Sequence, residues 1–172
     1  MEKSKVFWAD FRALPGDNLL LKLNRLIRKA GLEEIDFDRK YAAVKMHFGE
    51  PGNLAFLRPN YAQAVVKVIQ DLGGKAFLTD CNTLYVGGRK NALDHLDTAF
   101  MNGFSPLSTN CHVLIGDGLK GTDDVLVAVE GGEAFGTAHE QIALAGLFGV
   151  HDASQRHQGR GLFEVVVGHD FL

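Results

Sequence analysis

AAVKMHFGEPGNLAFLRPNYAQAVVKVIQDLGGKAFLTD, residues 42–80, decides how this chain folds. An apolar run ends abruptly at His47. Arg58-Pro59 then opens a helix, because proline at the first helical position gives up only an amide that has no intrahelical partner. Ala62, Val65, Val66, Ile69 and Leu72 recur at helical spacing as one buried stripe, and Gly73-Gly74 stops the helix before a second apolar run, KAFLTD, begins at 75. Strand, helix, strand is a crossover unit, which joins parallel strands with a right-handed connection. The pattern predicts strands over 42–47 and 75–80 with the helix packed against them.

The same alternation extends outward. KVFWA, 5–9, reads as an earlier strand, and the PGDN turn at 15–18 supplies Asp17 or Asn18 as a helix N-cap. Leu19, Leu20, Leu23, Leu26, Ile27 and Ala30 then share a face, and Gly31 ends that helix. Downstream, the spacing predicts a helix from about Arg89 to Asn102 with Ala92, Leu93, Leu96, Ala99 and Phe100 inward, closed by NGF at 102–104. HVLIGD, 112–117, and VLVAV, 125–129, read as two more strands, paired as a hairpin or meander edge. The whole is expected to be an α/β fold, a Rossmann-like three-layer sandwich with a mostly parallel sheet. Residues 1–136 form its domain and 137–172 an atypical tail. In that tail Thr137 and Glu140 have capping-box spacing for a short helix through Leu144, HDASQRHQGRG at 151–161 carries no pattern, and FEVVV at 163–167 is strand-like again.

Composition narrows the function classes. At 172 residues, 46% apolar and 23% charged, the chain has the make-up of one globular domain, and a formal charge of −3 offers no basic field for nucleic acid or an anionic membrane. Neither partner is expected. The start, MEKSKVFWADF, has no long apolar segment of a secretory signal, and no window approaches the ~20 apolar residues of a membrane helix, so a cytoplasmic location is expected. Cys81 and Cys111 lack C-x-x-C spacing. Neither a zinc knuckle nor a cysteine-held cluster is therefore expected within the chain, and both thiols are expected to be reduced.

In open parallel sheets, ligands bind beyond the carboxyl ends of the strands. Three polar loops fall there. The first carries His47, Glu50, Asn53 and Arg58; the second, TDCNTLYVGGR at 79–89, carries Asp80, Asn82, Tyr85 and Arg89; the third is GDGLKG, 116–121. His47 is a candidate general base or metal ligand, Glu50 and Asp80 are candidates to hold a hard cation or orient the imidazole, and Lys45, Arg58 and Arg89 suit phosphate or carboxylate. The metal candidates are thus His47, Glu50 and Asp80.

Each feature also has a purely structural reading. Pro51-Gly52 is type II turn chemistry, so Glu50 and Asn53 can be its solvated shoulders, while His47 and Asp80 can cap the ends of their strands. Lys45 lies mid-strand, where a snorkelling edge position is expected. His95 falls on the flank of its helix and reads as a surface residue, and Cys81 as a small buried hydrophobe. GDGLKG matches G-x-G-x-x-G but leads into an apolar strand-like run instead of a helix, so it reads as a turn and not as a dinucleotide fingerprint. The chain has no P-loop and no G-x-S-x-G elbow.

VKMHFGEPGNLAFLRP (44–59), FLTDCNTLYVGGRKNALDHL (77–96), NGF (102–104) and IGDGLKG (115–121) together resemble the N-terminal region of the uncharacterised iron–sulfur-centre proteins, domain of unknown function 362. The resemblance spans roughly residues 4 to 135, with the motifs in order at close spacing. It implies an α/β domain similar to the N-terminal domain of nickel-pincer lactate racemase. It also implies that clusters, where family members carry 4Fe–4S centres, are ligated by cysteines in a C-terminal region that this sequence lacks, along with a Lys-Gly-His segment and a Gly-rich stretch ending in Lys-Asn. His47, Glu50, Asn53, Arg58, Asp80, Asn82, Tyr85 and Arg89 match the family motif; no reaction is attached to them.

Three expectations about function follow. The first is a ligand-binding domain that takes a small anionic or phosphorylated molecule, or a metal, at the strand-end loops. The second is a non-catalytic docking module for an iron–sulfur partner. The third is an inactive fragment, since family-like sequence fades near residue 136, as a truncated or shifted reading frame would make it.

Overall fold

The computed structural model describes residues 6–123 and the backbone of Glu164–Val167. Helix α1 (Leu19–Lys29) is followed by strand β1 (Tyr41–Lys45), helix α2 (Pro59–Asp71), strand β2 (Lys75–Asp80), helices α3 (Ala92–Met101) and α4 (Pro106–Thr109), strand β3 (His112–Ile115) and strand β4 (Glu164–Val167). The sheet order is β3-β2-β1-β4. The first three strands are parallel, with Lys45 opposite Thr79 and Asp80 opposite Ile115, and β4 runs antiparallel to β1 with Val165 opposite Val44. This is the expected α/β, Rossmann-like architecture.

The local signals account for the helices. Asn18 caps α1 by accepting the Leu21 amide, Gly31 leaves it at φ +106°, and Pro59 occupies the first turn of α2 after an extended Arg58. Ala62, Val65, Val66 and Ile69 of α2 cluster with Val44, Leu78 and Val113 of the strands and with Met46 just after β1, with Phe37, Phe48 and Phe104 closing the core. Each fully buried Leu, Ile, Val or Phe in such a core contributes about 1.5–3 kcal/mol relative to exposure. This packing seats β1 and β2 side by side, so their carboxyl ends finish level with one another.

Several expectations are corrected. Residues 6–9 are not a strand: the segment runs beside α1, where Lys22 grips the carboxylate and carbonyl of Asp10. α3 begins at Ala92, three residues later than expected, where Asn91 caps it by accepting from Leu93 and Asp94. Its buried face is also turned. His95, Thr98 and Ala99 are inside while Leu93 and Phe100 are exposed, because Thr98 donates to the Gly88 carbonyl and His95 faces Asp80. The four-residue α4 was too short to show a period. GDGLKG is a turn, as its context indicated. VLVAV, the Thr137 helix and the 151–161 stretch lie outside the described residues.

Candidate functional site

The three strand ends bring their loops together at one edge of the sheet. Asp80 closes β2 and is buried at 1% exposure, yet three basic side chains from three segments reach it. Lys45 Nζ, from the end of β1, lies 3.2 Å from Oδ1; Arg89 Nη1, from the loop after β2, lies 3.4 Å from Oδ2; and His95 Nε2, from α3, lies 3.5 Å from Oδ2. The Cys81 amide donates to Oδ1 at 3.0 Å. Burial by itself raises the Asp80 carboxyl pKa. The contacts to His95, Lys45 and Arg89 outweigh that and hold it below the usual carboxylate range.

Arg89 is itself buried and links this centre to the loop after β1. Its Nε donates to Glu50 Oε1 at 2.7 Å, and its Nη2 donates both to the same carboxylate and to the Tyr85 hydroxyl, which in turn donates to Glu50. Burial tends to raise the Glu50 pKa, but the bonds from Arg89 and Tyr85 bring it below the usual value; burial and the bond to Glu50 raise that of Tyr85. Pro51 and Gly52 form the expected type II turn, with Gly52 at φ +82° and the Asn53 amide on the Glu50 carbonyl at 3.0 Å. The turn reading of Glu50 holds, and the turn aims the carboxylate at Arg89.

His47 follows β1 and is exposed, with Nδ1 accepting the Gly49 amide at 2.9 Å. That bond fixes the neutral tautomer with its proton on Nε2. Crowding by its neighbours, then the charges of Arg89 and Lys45, push its pKa below 6.5 against the opposing pull of Asp80 and Glu50. At neutral pH the ring presents an N–H donor to the edge of the sheet. It is not placed as a free base.

The remaining residues separate. Asn82 lies one loop over, where its amide and Nδ2 donate to the buried Asp117 at 3.0 Å and Nδ2 also reaches the Gly118 carbonyl, so it ties the loop after β2 to the turn after β3. Asn53 is exposed and accepts only the Ala55 amide, as a turn shoulder does. Arg58 is exposed at the N-cap of α2, away from the Asp80 contacts. Lys45, expected at a snorkelling edge, belongs to a strand flanked on both sides and faces Asp80. His95, expected on the surface, is fully buried against Phe48, its ring centroid 5.8 Å away. Asp117 was missed inside GDGLKG, although it lies just beyond the carboxyl end of β3, at the same edge of the sheet as Asp80. Cys81 is buried, as expected.

Among the described residues no three His, Cys, Asp or Glu side chains converge as a metal-ligand set. Arg89 stands between the two carboxylates that were the metal candidates, Glu50 and Asp80, and engages both.

Residues 42–146 match the family described as Domain of unknown function (DUF362). No curated protein and no solved structure matches the chain. The matched span contains β1 from Ala42 onward, β2, β3 and every residue of the Asp80 cluster, and on this match the chain belongs to the domain of unknown function 362 family.

Proposed function

We propose that the carboxyl edge of the parallel strands binds a small anionic or phosphorylated molecule. The His47 Nε2–H and the half-buried Lys45 ammonium are its donors, held in place by Asp80, Arg89, Glu50 and Tyr85. The observation that carries this reading is the gathering of Lys45, Arg89 and His95 around one buried carboxylate. Desolvating such charges costs several kcal/mol per ion, and an apolar core of the same volume is usually as stable or more so. A charged cluster kept at the edge where open sheets bind ligands is therefore read as serving the ligand. An anion suits this arrangement better than a metal, since Glu50 and Asp80 already have cationic partners.

We further propose that the chain is one of the iron–sulfur-centre members of its family, that its domain is related to the N-terminal domain of nickel-pincer lactate racemase, and that it works in the cytoplasm. The last rests on the sequence, in which Cys81 and Cys111 stand alone without the spacing of a disulfide framework. No helix among the described residues is long and apolar enough to cross a membrane. A 4Fe–4S cluster takes four thiolates and the sequence has two cysteines, so the residues present do not fit one. Any cluster would belong to a separate cysteine-bearing segment or partner.

One observation favours a second reading, in which the edge is a docking face for that partner. Leu54, Leu84, Val86 and Leu119, from all three strand-end loops, are exposed around the cluster. Thermal unfolding with phosphate, acetyl phosphate, small carboxylates and divalent metals separates the two. At 100 times its dissociation constant an anion stabilises the protein by about 2.7 kcal/mol, and His47→Ala abolishes the shift. No shift with any probe, together with co-purification of a cluster-bearing protein, supports docking.

A further inference from the structure

A second candidate site lies on α1, away from the strand ends. Lys22, Arg25, Leu26 and Lys29 fall at i, i+3, i+4 and i+7 and line one stripe of the helix. The segment carrying Trp8, Ala9 and Asp10 runs alongside, leaving a groove of about 330 Å³ lined by these three residues and the four of the stripe. The groove is a built feature. Lys22 Nζ holds both the carboxylate and the carbonyl of Asp10, and that bond keeps the Asp10 pKa below the usual range. Lys22 is thereby occupied as the clamp that fixes the wall. Arg25 bonds Asp17 through one Nη2 and retains other N–H groups of its five. Lys29 makes no ion pair with a described residue, and Trp8, 79% exposed, offers most of its indole to solvent.

We infer that this groove binds a flat aromatic ring carrying a phosphate, the chemistry of a nucleoside monophosphate. The ring stacks on Trp8 over Leu26, and the dianion lies against Lys29 and Arg25. Volumes of about 300–1,000 Å³ are usual for small-molecule sites, and aromatic stacking with an adjacent cation pair is a recurring way to hold a nucleotide. The overall charge of −3 does not oppose this, because the stripe is locally positive.

The chain has a single tryptophan, so its emission reports on this groove alone. Adenosine monophosphate, adenosine and inorganic phosphate are titrated into the full chain, excited at the red edge of indole absorption, with calorimetry as a second readout. The expected result is saturable quenching by adenosine monophosphate, weaker binding of adenosine and of phosphate, and binding about tenfold weaker in Lys29→Glu, whose exposed position leaves folding intact. The inference is overturned by no saturable response to adenosine monophosphate, or by equal binding in wild type and Lys29→Glu. It is equally overturned if Trp8 responds only to phosphatidylserine vesicles, which would make this face a membrane contact.

Discussion

Arg89 and Glu50 meet through two nitrogens on one oxygen, with Nε at 2.7 Å from Oε1, while the far side of the same guanidinium reaches the buried Asp80. One side chain thus locks the turn after β1 to the end of β2. The pair is the joint between the exposed part of the site and its buried charge, and its loss reaches beyond the loop in which Arg89 sits.

Arg89→Ala leaves Asp80 with Lys45 as its one permanent cation among the described residues, and leaves Glu50 with the Tyr85 hydroxyl alone of its two partners. Removing one partner of a buried pair costs about 3–5 kcal/mol, and the surviving Lys45 contact places the expected loss near 3 kcal/mol. For a chain of this size that lowers the melting temperature by roughly 6–12 °C. Arg89→Lys is expected to recover only part of it, since an ammonium cannot fork between Nε and Nη2. Thermal denaturation of both variants checks the order wild type, Lys, Ala.

Below neutral pH the dependence has one sign. Asp80 and Glu50 have folded-state pKa values below 3.8 and 4.5, so their stabilisation is present above those values and lost as pH falls through the folded ones. Glu50 contributes less, being partly solvated. His47 is depressed below 6.5, so the unfolded chain takes up its proton first and stability begins to fall as pH drops below 6.5. Urea unfolding across the range should show stability declining from 6.5 downward in the wild type. In His47→Gln the stretch between 6.5 and 4.5 should flatten while the steeper acid loss remains.

Two glycines in the first loop separate backbone strain from crowding. Gly49 and Gly52 have nearly the same φ, +85° and +82°. A Cβ on Gly49 would meet Asn102 Nδ2 at 2.6 Å and Phe56 Cδ1 at 2.7 Å, whereas one on Gly52 meets nothing within 4 Å. Gly52→Ala is expected to cost about 1 kcal/mol from the left-handed conformation alone. Gly49→Ala adds overpacking and is expected to cost about 2–4 kcal/mol. Equal losses in chemical denaturation would remove the packing role assigned to Gly49.

How far the sequence carried the fold follows from where its signals lie. β1, α2 and β2 were legible because Pro59, Gly73 and two apolar runs mark their ends, and the three polar loops then had to share an edge. The partners across that edge were not legible. Lys45 read as a snorkelling edge position, and only the level ends of β1 and β2 bring it to Asp80. His95 sits one step off the apolar stripe of α3. The helix turns that flank inward because buried polar partners, Asp80 and the Gly88 carbonyl, stand there. Residues 6–9 have strand-like side chains, but the segment is held against α1 by the Lys22–Asp10 contact, which apolar alternation does not reveal.

The central claim is that an anion contacts His47, and histidine Cε1–H spectra report on it most directly. The His47 signal, assigned by its loss in His47→Gln, should titrate with a midpoint below 6.5 in the free protein and move upward when phosphate or a small carboxylate binds, because a bound anion favours the imidazolium. A His47 signal that keeps the same midpoint and shift at saturating concentrations of every anion would contradict the account.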